Sequence, residues 1–178
     1  MPCEELIITG CDTFIVGNPW KNWVFISLHT TDGIQGIGEA SLNGFALSTQ
    51  SAIHELQQYF IGKSAFDVKD IRRSMLLSVY SDGGQIHRSA TTAVETACWD
   101  IVGKALGRPL YQLWGGSVRD DIRTYGNGWY RTERDPESFA ERAKNAIGLG
   151  YTALKVDPFG STRGGFTKSG KELSLEII

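Results

Sequence analysis

A chain of 178 residues with a formal net charge of −2 has room for one or two small domains, and its charges form no basic stripe for nucleic acid. No apolar run approaches the roughly 18 residues of a membrane span, and Met1–Glu5 lacks a signal-peptide pattern. Cys3, Cys11 and Cys98 fit neither a C-x-x-C motif nor an even disulfide framework, so we expect a cytoplasmic protein without nucleic-acid or membrane partners.

The first 40 residues have the pattern of β-strands. Leu6–Thr9 and Thr13–Val16 are short runs rich in β-branched residues, and Trp23–His29 is a longer apolar run. Thr31–Gly33 supplies a turn, after which Ile34–Glu39 returns as a partner strand. An antiparallel meander is predicted.

Apolar residues at helical spacing predict two helices in the next part of the chain. The first stripe ends before Gly62, a typical stop signal, and the second follows a few residues later. Their members are Ala52, Ile53, Leu56, Tyr59 and Phe60, and then Val68, Ile71, Met75 and Val79.

A third, longer helix is predicted from Ser89, its expected N-cap, to Gly107 and Pro109, which close it. His87 and Arg88 then form a surface pair at the helix start or, alternatively, contact a substrate. The broad apolar face is rich in alanine, which predicts that another element packs close against it. Its members are Ala90, Ala93, Val94, Ala97, Cys98, Ile101 and Ala105.

A strand–helix–strand pattern follows Gly116. Ile122–Gly126 and Ala153–Val156 are the expected strands, and Asp135-Pro136 is an N-cap with proline at the first helical position. This order predicts a βαβ unit with parallel strands, and a further helix begins near Leu173. The core side of the middle helix is expected at Phe139, Ala143 and Ile147.

Two segments resemble a known enzyme family, and the resemblance extends over essentially the whole chain. Thr31–Ala40 and Ala93–Gly116 are similar to the mandelate racemase/muconate lactonizing enzyme family of the enolase superfamily. The implied fold is an α+β capping domain over residues 1–120, followed over residues 121–178 by the truncated start of an α/β (β/α)₇β barrel. Asn127–Tyr130 and Lys155–Gly160 resemble the sugar-acid dehydratases most, gluconate dehydratase in particular.

The resemblance implies a carbon–oxygen lyase, a hydro-lyase of carbohydrate acid metabolism. In that chemistry a base removes the proton α to a carboxylate, Mg²⁺ and nearby cations stabilise the enediolate, and a β-hydroxyl leaves to give a 2-keto-3-deoxy acid. The family takes its metal ligands from the third to fifth barrel strands, so none is expected in this chain. We therefore expect the chain alone to be inactive, and the complete enzyme to be a homo-oligomer acting on a small sugar acid.

Lys155 and Asp157 are the candidate catalytic residues. Lys155 matches the first lysine of the family's K-x-K pattern, which neutralises the substrate carboxylate; the alternative is a solvated lysine at a strand end. Asp157 stands where racemising members have their second lysine, which favours a one-base elimination. Asp157 before Pro158 is equally typical of a turn.

Four residues are candidates for substrate binding. Asn127 and Tyr130 follow the first predicted barrel strand, although Tyr130 also suits a packing role. Trp20 and Lys21 stand where the family's capping domain sends a loop over the substrate, and the alternative is a surface turn. Two other functions stay open: an acid-sugar epimerase or racemase of the same family, and a non-catalytic capping-domain fragment that associates with other chains.

Overall fold

The computed structural model describes residues 6–17, 21–160, 165 and 167–178. The chain divides into two compact units, Met1–Ser117 and Val118–Ile178. None of the helices within the described residues is long and apolar enough to cross a lipid bilayer.

The first unit begins with a three-stranded antiparallel sheet. Its strands β1 (Ile8–Gly17), β2 (Asn22–Thr30) and β3 (Gln35–Glu39) lie in the order β1-β2-β3, which confirms the predicted meander. The prediction of two short runs before β2 was wrong, because β1 is continuous through the polar stretch at Cys11-Asp12. The reason is that β2 pairs with this stretch residue by residue, so its backbone groups find partners whatever the side chains are.

Four helices complete the described part of the first unit. They are α1 (Ala46–Leu56), α2 (Val68–Leu76), α3 (Gly84–Leu106) and the short α4 (Leu110–Leu113), and a 3₁₀ turn follows α1. Both predicted helical stripes are confirmed in part. Tyr59 lies in the 3₁₀ turn after α1, Phe60 follows that turn, and Val79 lies beyond the end of α2. Ile53, Phe60, Ile71 and Met75 are fully buried in the core beneath the sheet.

The predicted start of α3 was wrong. The helix begins at Gly84 rather than after Ser89, and Gly83, at φ +72°, takes the N-cap position in a conformation that suits glycine. His87 is consequently a buried residue of the helix and not a surface residue, and its Nε2 lies 3.0 Å from the carbonyl oxygen of Met75. The burial of His87 and its contact with the end of α2 outweigh the capping preference of serine, although most of the extra turn is exposed.

The close packing predicted for the alanine-rich face of α3 is confirmed, and the packing element is β3. A Cβ atom added to Gly38 would lie 2.0 Å from the carbonyl oxygen of Ala93, and one added to Gly36 would lie 2.1 Å from that of Ala97. The two glycines and two alanines therefore let the strand approach the helix backbone directly. The closing signals of α3 are also confirmed, with Gly107 in the left-handed conformation at φ +60°.

The second unit contains two helices, α5 (Pro136–Gly148) and α6 (Lys168–Ile177), and a parallel bridge between Gly126 and Leu154. The parallel direction predicted for the two segments is confirmed. The predicted strand lengths were wrong, because only this single bridge forms. Among the described residues neither segment has a further strand beside it, and a lone parallel pair gains little ladder energy.

Helix α5 begins as predicted, with the Asp135 carboxylate accepting a hydrogen bond from the Ser138 N–H at 2.8 Å. Its buried face was predicted incorrectly at one position: Phe139 and Ala146 are buried, but Ile147 is 58% exposed. Helix α6 starts at Lys168, before the predicted Leu173.

Candidate functional site

The candidate site lies where the two parallel segments of the second unit end. The Gly126 N–H donates to the Ala153 carbonyl at 2.9 Å, and the Lys155 N–H donates to the Gly126 carbonyl at 2.9 Å. Since the segments run in the same direction, Asn127 and Lys155 follow the bridge side by side. The carboxyl ends of parallel strands are where α/β folds collect functional side chains.

Lys155 combines a fixed backbone with an exposed side chain. Its N–H is held by Gly126, and its carbonyl accepts a hydrogen bond from the indole N–H of Trp129 at 2.7 Å. The side chain itself is exposed. The ammonium group is therefore presented to solvent from a backbone that is tied on both sides.

Asp157 forms a turn. Its Oδ1 accepts a hydrogen bond from the Phe159 N–H at 3.1 Å, across Pro158, which confirms the turn predicted for this position. The carboxylate is exposed and its other oxygen points away from this bond. A catalytic role for Asp157 stays a prediction.

Asn127 and Tyr130 contact each other. The Tyr130 hydroxyl donates to Oδ1 of Asn127 at 3.4 Å, and the ring of Tyr130 stacks on Phe139 with a centroid distance of 6.5 Å. The predicted packing role of Tyr130 is thus confirmed. The amide nitrogen of Asn127 is the group of this pair that a ligand's oxygen could approach.

The first unit carries a separate cleft of about 500 Å³ beside Lys21. Its other lining residues are Asn22 and the segment Asn43–Ser48, which includes the first turn of α1. No side chain caps that helix, so its first backbone N–H groups suit an anionic group. The Lys21 ammonium lies 4.5 Å from the centroid of the Trp23 ring, while Trp20 lies outside the described residues.

Three functional candidates were missed by sequence reasoning. Trp129 bonds the Lys155 carbonyl, and the Arg134 guanidinium donates to the Pro158 carbonyl and, at 3.1 Å, to the Ser174 hydroxyl. The position of Arg134 directly before the N-cap of α5 was the available signal, since it places the side chain near the ends of both parallel segments. Ser174 gave no signal, because its partner lies 16 residues away.

Two features of the described residues bear on metal binding and on the reactivity of Cys98. Among them no group of three or more His, Cys, Asp and Glu side chains could hold a metal ion. Burial raises the pKa of the Cys98 thiol to about 12, so Cys98 stays protonated near neutral pH and acts as a core residue.

Comparison with known proteins identifies the first unit. Residues 16–115 match the family model of the mandelate racemase / muconate lactonizing enzyme N-terminal domain. The D-gluconate/D-galactonate dehydratase of Picrophilus torridus is 36% identical over 163 residues, which are 90% of this chain and 42% of that protein. The D-gluconate dehydratase of Thermoproteus tenax is 34% identical over 165 residues, 89% of this chain and 32% of that protein.

Solved structures extend the similarity to both units. A crystal structure from Mesorhizobium loti matches with a TM-score of 0.91 and 32% identity, covering 97% of this chain and 48% of that one. A member of the enolase superfamily from Salmonella Typhimurium matches with a TM-score of 0.83 and 29% identity, over 97% of this chain and 50% of that one. The chain thus spans about half the length of these structures and less than half of the curated relatives above.

These matches confirm the predicted fold class, an α+β capping domain followed by the opening elements of the family's barrel. The chain belongs to the mandelate racemase / muconate lactonizing enzyme family of the enolase superfamily.

Proposed function

We propose that this chain forms the capping domain (residues 1–120) and the barrel start (residues 121–178) of a sugar-acid dehydratase acting on gluconate or galactonate. Relatives with these two activities in their names match 90% and 76% of the chain. In this proposal, dehydratase activity requires an enzyme as long as the relatives, which includes the rest of the barrel. The 178-residue chain alone is expected to be inactive.

The observation that carries the proposal is the adjacency of Asn127 and Lys155 beyond the parallel bridge. A sugar acid placed there would meet an ammonium group and an amide donor on one side. Removal of the α-proton transfers its electron pair into an enediolate, whose charge the Lys155 ammonium would stabilise more than it stabilises the ground state. The β-hydroxyl then takes up a proton and leaves as water, and the enol product becomes the 2-keto-3-deoxy acid.

Asp157 favours elimination over racemisation. Racemisation by the family's two-base route needs a second base on this side of the substrate, and in the K-x-K pattern that base is a lysine. The carboxylate of Asp157 instead accepts a turn hydrogen bond from Phe159. An epimerase or racemase is therefore the second choice, and it predicts solvent-proton exchange at the α-carbon without loss of water.

The cleft beside Lys21 in the first unit is proposed, by itself, as a place for an anionic group of a sugar acid. A cation and an uncapped helix start both attract a carboxylate or an oxygen-rich sugar chain. For Lys21 to serve, its ammonium has to leave the ring of Trp23, which like Lys21 is half-buried. Trp20, next to Lys21 in the sequence, is proposed for the same role, and Asn127 and Tyr130 are proposed as substrate-binding residues of the second unit.

Mg²⁺ is proposed for the enzyme of the relatives' length only. The described residues of this chain offer no cluster of metal ligands, so by themselves they do not fit a metal ion. A cytoplasmic location, a homo-oligomer and a small-molecule partner are likewise proposals.

The experiment compares this chain with a fusion in which the Picrophilus torridus relative supplies the remaining barrel. Both are incubated with Mg²⁺ and either gluconate or galactonate, and 2-keto-3-deoxy acid is measured. We expect turnover by the fusion and none by the chain alone. A folded fusion that forms no keto acid but inverts the α-carbon, with exchange of its proton for deuterium, would establish the epimerase instead. Turnover by the 178-residue chain would contradict its expected inactivity.

A further inference from the structure

The backbone between the two candidate catalytic residues is tied at both ends by side chains from the other parallel segment and its helix. At one end the Trp129 indole N–H donates to the Lys155 carbonyl at 2.7 Å. At the other end the Arg134 guanidinium donates to the Pro158 carbonyl. Between these two anchors the side chains of Lys155 and Asp157 are exposed.

Trp129 offers its indole N–H, the only donor of that side chain, to a backbone carbonyl rather than to solvent. The ring is held in turn by Tyr130 and Phe139, with centroid distances of 5.7 and 6.1 Å. The indole is therefore a rigid donor, and the carbonyl it binds belongs to Lys155 itself. The orientation of the Lys155 peptide follows from the orientation of the ring.

Arg134 makes the second anchor at a cost in stability. Its Nε is buried and has no hydrogen-bond partner among the described residues, which disfavours this conformation. The guanidinium nevertheless holds the Pro158 carbonyl, and the buried Ser174 hydroxyl lies 3.2 Å from the same oxygen. Gly160 leaves room for it, because a Cβ atom there would lie 2.7 Å from Nη1 of Arg134.

We propose that Trp129 and Arg134 are positioning residues of the candidate site, which hold the segment Lys155–Pro158 so that the Lys155 and Asp157 side chains leave it in one fixed direction. The inference rests on the proposed function for its purpose, since a preorganised ammonium stabilises a developing charge better than a mobile one. The geometry itself is independent of the reaction. It can therefore be tested on the 178-residue chain without any turnover.

The first test is Trp129→Phe, which keeps an aromatic ring and removes only the donor. We expect the amide of Lys155 to exchange with solvent about tenfold faster or more, and the carbonyl ¹³C resonance of Lys155 to shift, while the α5 amides stay within about twofold of wild type. Tyr130→Phe is the matched control, since it keeps the ring beside Trp129 and the indole bond and removes only the hydroxyl that contacts Asn127. No change at Lys155 in Trp129→Phe, or equal changes in both variants, overturns the positioning role.

Arg134→Lys is the second test, and it keeps the positive charge while removing the forked geometry. We expect the Phe159 amide, which shares its peptide group with the Pro158 carbonyl, to exchange about tenfold faster, with Lys155 less affected because its own anchors remain. Wild-type exchange at Phe159 overturns the second anchor. The exchange results do not depend on the proposed function. That function fails separately, if the folded fusion forms no keto acid or if its turnover does not depend on Lys155.

Discussion

The carbonyl oxygen of Gly126 accepts a hydrogen bond from the backbone N–H of Lys155 at 2.9 Å, across 29 residues of chain that contain the whole of α5. This bond sets the parallel register of the second unit and determines which side chains lie next to each other. The candidate site depends on it, since one residue of slip would exchange Lys155 for a neighbour on the opposite face.

Lys155→Met should lower kcat of the active fusion by roughly 100-fold or more, the scale for loss of one preorganised electrostatic group. The KM should change less. The melting temperature of the 178-residue chain should stay unchanged, because its Lys155 side chain is exposed and makes no buried ion pair with any described residue. Lys155→Arg should also fail, since the guanidinium keeps the charge in a different shape. Steady-state kinetics and thermal denaturation check these outcomes, and near-normal kcat in Lys155→Met would identify Lys155 as a solvated strand-end lysine.

Gly38→Ala should destabilise the first unit, since the new methyl group would lie 2.0 Å from the carbonyl oxygen of Ala93. We expect a loss of about 1–3 kcal/mol or more, the usual cost of overpacking where backbone must move. Gly10→Ala is the control in the same sheet, because its nearest neighbour, the His29 ring, is 3.6 Å away. Urea denaturation of both variants checks the difference, and equal stability would mean that β3 and α3 separate easily.

Asp100→Ala should weaken the outer edge of the sheet. The carboxylate accepts from the Ile37 N–H at 2.9 Å and from the Lys104 ammonium at 2.6 Å, so it protects an edge-strand donor. We expect a loss of about 1 kcal/mol, since water can partly replace a bond at an exposed site. Asp100→Asn keeps an acceptor for Ile37 and should lose less. Denaturation and light scattering check this: self-association should rise in Asp100→Ala, and unchanged scattering would show that other features protect the edge.

The stability of α5 should depend on pH through Asp135. Hydrogen bonds from Ser138 lower the pKa of this carboxyl below its ordinary value of 3.8. A carboxyl whose pKa is lower in the folded state than in the unfolded state stabilises the folded state. This stabilisation is complete above the pKa of the unfolded state and is lost as the pH falls through the pKa of the folded state. Helicity followed by circular dichroism from about pH 6 down to about pH 2 should therefore fall less steeply in Asp135→Asn. Glu141→Gln, a change at an exposed position of the same helix, should behave like wild type. A wild-type pH profile for Asp135→Asn would contradict the stabilising role of Asp135 as the N-cap.

Local patterns in the sequence determined most of the secondary structure. The apolar run of β2, the apolar stripe of α2 and the Asp135-Pro136 start of α5 each act within a few residues of chain, so they predict elements without knowledge of the fold. The parallel direction of the two segments in the second unit follows in the same way from the strand–helix–strand order. The family could also be recognised from the sequence, and Lys155 and Asp157 could be chosen as candidate catalytic residues, because both inferences rest on contiguous motifs.

Tertiary structure determined the features that depend on contacts between residues far apart in the sequence. Burial of His87 against the end of α2 moved the start of α3, and the pairing with β2 joined two predicted runs into one strand. The anchors Trp129 and Arg134 bind backbone carbonyls 26 and 24 residues away, and no local pattern marks a donor for such a partner. Carbonyl groups are the same at every position of the chain, so only the folded backbone determines which of them a side chain reaches.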